Sequence, residues 1–195
     1  MGRKESAGQT ALFAFAVGKI LTAVGKTPDA RLDRETRQAL LENGGRIQVA
    51  AGALLTELAA GDPVAAYLIG INVLGYGIFI LERIQGSSDE TQLIRRAWAG
   101  HLRDMTGTIA LLAVDRRLWC RIATMIGLFL LCLGDLAQAL GRRQQLANRA
   151  ALFDLNAKLT FGAWAEAVSA ILLLLDSLAT TGDPGEDLFF LTGTS

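Results

Sequence analysis

Histidine occurs once in this 195-residue sequence and cysteine twice. A single histidine, His101, excludes a His-rich zinc site. Two cysteines in one apolar region, Cys120 and Cys132, argue against a disulfide scaffold and read as small packing residues. Charge is scarce as well: Asp, Glu, Lys and Arg make up 19% of residues, against about 25% in an average soluble domain. Neither sign is in excess, since 19 Lys and Arg face 19 Asp and Glu. A nucleic-acid partner would ordinarily leave a basic surplus, so none is expected. No Gly-x-Gly-x-x-Gly run or phosphate loop occurs. His101 and Asp104 have the residue types of a base and its orienter, but three residues apart they read as a solvated helical pair. No catalytic residue, cofactor or metal is assigned, and the chain is expected not to be an enzyme.

What is present is apolar helix. Hydrophobic residues make up 51%, and the mean hydropathy of +0.35 lies between a soluble domain and a polytopic transporter. Helical periodicity runs almost throughout and strand alternation is nearly missing. The expected fold is all-α: a bundle of about six to seven helices with antiparallel neighbours and one to three membrane-spanning or membrane-inserting helices. It forms one domain over 1–195, or a piece of a longer chain, because the end follows a helix-start signal by only about three turns. Arg3 and Lys4 before the apolar stretch 10–17 mimic the start of a secretory signal. Lys19 follows without a small-x-small cleavage site, so this segment is kept in the fold.

Phe13, Val17, Ile20, Leu21 and Val24 form the stripe of a first helix that Gly25 ends. Thr27, Pro28 and Asp29 read as N-cap, first helical proline and first-turn acid. They open a polar helix over 29–43, closed by Gly44 and Gly45, and a further helix covers 46–60. Gly61, Asp62 and Pro63 supply a C-cap glycine, an N-cap aspartate and a proline at the first helical position. Gly182, Asp183 and Pro184 repeat that turn chemistry, although the flanking residues do not align. Ser87 with Glu90 fits a capping box before an amphipathic face of Leu93, Ile94, Ala97, Trp98, His101, Leu102 and Met105. Helical pattern continues to about Leu140, with a break near Gly107 or Asp115. A basic segment over 142–158 and an apolar helix to about Ala179 complete the chain.

A spanning helix needs about 20 mainly apolar residues, and 63–81 meets that standard without a charge; Gly70, Asn72, Gly75 and Gly77 would let another helix approach it closely. The segment 122–134 is apolar but short, bracketed by Arg121 and Asp135. The segment 159–179 shows Phe161, Trp164, Val168, Leu172 and Leu175 on one face. Gly162, Ala163 and Ala170 lie on the other, interrupted by Glu166 and Ser169. The first helix suits an interfacial or bundle-lining position. By the positive-inside rule the basic segment 142–158 belongs on the cytoplasmic or equivalent side.

Arg117, Arg121 and Asp135 share one face if their helix is continuous, and Glu166 sits on a small-residue face. Buried in apolar surroundings, these four are a polar network or a pore lining. Interhelical pairing that fixes bundle register is the simpler of the two, with Arg117, Arg121, Arg149 or a hydroxyl as the expected partner of Glu166. The function expected is that of a non-enzymatic membrane protein: a small subunit or scaffold packing its helices in a membrane complex. Its partners would be the lipid bilayer and another protein or a second copy. A membrane-inserting, pore-forming toxin or effector domain and a soluble all-α interaction bundle stand as alternatives. Apolar helices alternating with Gly-Asp turns loosely resemble the membrane regions of VasX-like secreted effectors. The mix of amphipathic and apolar helices is similar to that of peroxisomal membrane-elongation proteins. No residue role follows from either resemblance.

Overall fold

The structure is a computed structural model that describes residues 3–28, 31–59, 66, 70, 89–114, 116–147 and 152–180. Among them are five α-helices and no strand: α1 (Arg3–Lys26), α2 (Arg34–Leu58), α3 (Glu90–Val114), α4 (Ile122–Leu146) and α5 (Leu152–Thr180). A 3-10 turn over Arg116–Cys120 separates α3 from α4. The helix expected over 63–81 and both Gly-Asp-Pro junctions, Gly61, Asp62, Pro63 and Gly182, Asp183, Pro184, lie outside the described residues.

The all-helical class stands, with five helices described in place of the six to seven expected. One reason is that 29–43 and 46–60 are not two helices. Asp33 caps a single helix, accepting the Thr36 N–H at 2.6 Å, and that backbone donor holds its carboxyl below the usual range. Gly44 and Gly45 lie buried inside the helix, because their lack of a Cβ lets α1 come close. A Cβ on Gly18 would stand 2.8 Å from the Gly44 carbonyl oxygen. The exposed start of α2 and the turn before it, with Arg34 and Arg31 at the surface, match the polar surface expected there. Of the two expected break positions, Gly107 is buried within α3, and the helix ends at Val114, next to the other, Asp115.

The helices pack in the order α2, α1, α5, α4, α3, each against the next. The α4–α5 crossing repeats the device of α1–α2: a Cβ on Gly134 would lie 2.7 Å from the Gly162 oxygen. In both pairs a glutamine one turn past the glycine fills the crossing. Gln48 donates to the Gly18 carbonyl at 3.0 Å and to Thr22 Oγ1 at 2.8 Å, and Gln138 faces Gly162.

The distribution of side chains is inverted relative to a soluble bundle. Of the 13 buried hydrophobic residues described, ten are alanine. The large apolar groups point outward instead: Ile122, Ile126, Phe129, Leu136 and Leu140 on α4, and Phe161, Trp164, Val168, Ile171, Leu175 and Leu178 on α5. On α1, Phe13 is 60% exposed while Ala16, Lys19 and Ala23 are buried. Among the described residues, three helices are long and apolar enough to cross a membrane: Ser6–Lys26, Ile122–Leu146 and Asp154–Thr180. The second is therefore not the short segment 122–134. Asp135, taken as its end, is a buried residue within α4.

Candidate functional site: a buried charged cluster

Small residues on α1 and α5 bring two backbones together and leave room for long polar side chains between them. Ala23, Ala163 and Ala167 form the contact. Beside it, Lys19 Nζ reaches Glu166 Oε2 at 2.6 Å, both side chains over 90% buried. The Lys19 ammonium also stands 5.3 Å from the Phe15 ring centroid, within range of a cation–π attraction. From α4, Gln138 donates its amide to Glu166 Oε1 and accepts from Lys26 Nζ on α1. From α3, His101 Nδ1 lies 3.0 Å from Asp135 Oδ1 and 3.8 Å from Glu166 Oε1. Asp104, one turn along α3, acts electrostatically on Lys19, Asp135 and Glu166. Four helices thus contribute to one cluster of three carboxylates, two ammonium groups, an imidazole and an amide, and the Arg142 guanidinium on α4 acts electrostatically on its Lys26 and His101.

Charges taken out of water need partners, because removing one side of a buried pair leaves an uncompensated ion. The cluster meets most of that need internally. One exception is Asp135 Oδ2, which is buried and accepts no hydrogen bond. Ser169 Oγ, one turn beyond Glu166 on α5, is likewise buried without a partner. His101 Nδ1, Asp135 Oδ1 and Glu166 Oε1 lie within 4.8 Å of one another, a donor set able to hold a metal ion.

Asp135 and Glu166 are brought together, and among the described residues the ion-pair partner of Glu166 is Lys19 rather than an arginine. Arg121 belongs to a second cluster, about 15 Å along α5 from Glu166 by helical rise. There its Nη2 meets Asp176 Oδ2 at 2.5 Å and Thr180 Oγ1 at 3.2 Å, and Thr124 donates to the same carboxylate. The continuous helix that would align Arg117 with Arg121 and Asp135 is absent from the described residues, because Arg117 lies in the 3-10 turn Arg116–Cys120 and the α-helix begins at Ile122. The side chain of Arg117 lies outside the described residues, as does Arg149. Nor are His101 and Asp104 a solvated pair: the His101 side chain is 12% exposed and bonded to Asp135. Its position on the same face as Leu93, Trp98 and Met105 was the available signal. Lys19 had one too, as a lone cation one residue past a packing glycine.

Residues 9–174 match the model of a protein family described as a family of unknown function, DUF6944. No curated protein and no solved structure matches the chain.

Proposed function

The chain belongs to the DUF6944 family, and from its fold and its buried cluster we propose that it is a non-enzymatic integral membrane protein, a small helical scaffold or subunit. In it α1, α4 and α5 cross the bilayer. The observation that carries this reading is the inverted packing, with alanine, glycine and charge inside and Phe, Ile, Leu and Trp outside. Water would penalise so much exposed apolar area, whereas lipid tails are as apolar as leucine and leave close packing and polar contacts to hold helices together. The heights agree. From Phe161 to Leu178 and from Ile122 to Leu140 the exposed stripes rise about 26–27 Å, close to the hydrocarbon thickness of about 30 Å.

Trp119 and Trp164 stand towards opposite ends of this belt, where indole rings suit the membrane–water interface. Trp119 donates its N–H to the Leu112 carbonyl and Trp164 to Thr27 Oγ1. Lys26, Arg142, Arg143 and Lys158 gather at the end where α1 meets α2 and α4 meets α5. The positive-inside rule puts that end in the cytoplasm or its equivalent. The role we assign is packing. Ion pairs and glycine crossings fix the register of the bundle, and the lipid bilayer together with a protein partner or second copy completes its surroundings.

Membranes from cells expressing the chain, washed in alkaline carbonate, provide the test. An integral protein stays in the pellet and leaves it only with detergent. Release into the carbonate supernatant as a folded helical monomer would favour the soluble bundle and defeat the proposal.

A further inference from the structure

We propose that His101, Asp135 and Glu166 form a binding site for a divalent first-row transition-metal ion. The donors come from three different helices, α3, α4 and α5, so their spacing is set by rigid elements rather than a loop. For nitrogen and oxygen ligands at about 2.0–2.2 Å from a metal, neighbouring donors stand roughly 3.0 Å apart at a right angle and about 3.5 Å at the tetrahedral angle. The observed separations from His101 Nδ1 are 3.0 Å to Asp135 and 3.8 Å to Glu166. All three atoms lie within 4.8 Å of one another. Side-chain rotations that draw the two carboxylate oxygens together convert this triangle into a coordination face.

A second observation points the same way. Asp135 Oδ2 is buried and without a donor, a costly state for a carboxylate in apolar surroundings. A cation held by both oxygens of this carboxylate would supply the partner that Oδ2 lacks. One imidazole with two carboxylates suits zinc, manganese or iron; it is too poor in oxygen for calcium and too hard for copper(I).

Binding asks for two local changes. The neutral imidazole carries its single proton on Nε2 in place of Nδ1, so no net proton is lost, and Nδ1 presents its lone pair to the metal. Gln138 releases Glu166 Oε1 and stays tethered to Lys26. Lys19 keeps its ion pair with Oε2, orienting the ligating carboxylate as outer-shell partners do.

The test uses the full chain in detergent, stripped with chelator and titrated with zinc by calorimetry and with cobalt(II) by visible absorption. Membrane insertion is not needed for this measurement, so the site and the membrane reading fail separately. The expected result is one ion per chain, with ligand-field bands of a low-symmetry N,O site. Asp135→Asn and His101→Gln should each weaken binding by about 100-fold or more, with helicity and elution volume checked for both. His101→Gln, altering the most accessible of the three ligands, decides the matter if Asp135→Asn does not fold. No saturable binding by the wild-type chain, or unchanged affinity in the folded variants, would overturn the site.

Discussion

Adding one methyl group at Gly162 should pry α4 from α5. Its Cβ would lie 2.5 Å from Gln138 Cγ and 2.6 Å from the Gly134 carbonyl oxygen. The glutamine side chain can swing aside, but the carbonyl belongs to a helix and cannot. Restoring an ordinary contact of about 3.4 Å asks the helices to part by roughly 0.8 Å, and overpacking of this kind costs about 1–3 kcal/mol. Alanine recovers up to about 1 kcal/mol through its better helix propensity. With a backbone atom opposed, the upper part of the cost range applies, and a net loss of about 1–2 kcal/mol is expected. Gly100 is the control: nothing lies within 4 Å of its added Cβ, so Gly100→Ala keeps only the propensity gain. The two variants should differ by about 2 kcal/mol or more in detergent unfolding followed by circular dichroism. If Gly162→Ala matches Gly100→Ala in stability, the glycine crossing does not hold these helices together.

Lys19→Met should destabilise the bundle by about 3–5 kcal/mol, since it strands a buried carboxylate. Lys19→Met/Glu166→Gln should cost less than the sum of its parts, read from a double-mutant cycle. Arg121→Leu should leave the Glu166 cluster intact while hydrogen exchange quickens over the last two turns of α5, where Asp176 loses its partner. Asp33 has a lowered pKa, so its contribution to α2 is complete above the ordinary carboxylate range and fades as pH falls through the lowered value. Asp33→Ala should therefore remove part of the acid dependence of helicity. In liposomes, wild type and Glu166→Gln should show equal and negligible ion flux; robust flux lost in the variant would replace the packing role with a pore.

Helical class was readable because 3.6-residue periodicity survives along nearly the whole chain. The long α2 was not, because Gly44-Gly45 carries the same letters whether it ends a helix or admits a neighbour. Only the approach of Gly18 distinguishes the two. The inward faces were harder still. A large-residue stripe such as Phe13, Val17 and Ile20 looks like a core face if the surrounding solvent is taken to be water. Glu166 and Asp135 were recognisable as misplaced charges within apolar helices. Lys19 and His101, far away in sequence, become their partners only through the α1–α5 and α3–α4 packing.

The two cysteines give a direct reading of membrane insertion. Cys120 is exposed at the end of the 3-10 turn, and Cys132 lies within α4, about 18 Å further along by helical rise. In sealed membranes a bulky, membrane-impermeant maleimide should modify Cys120 from one side alone and leave Cys132 untouched until detergent or denaturant is added. Labelling of Cys132 by that reagent in intact, folded protein at a rate close to that of Cys120 would mean that α4 lies in water, and the membrane-spanning bundle would be wrong.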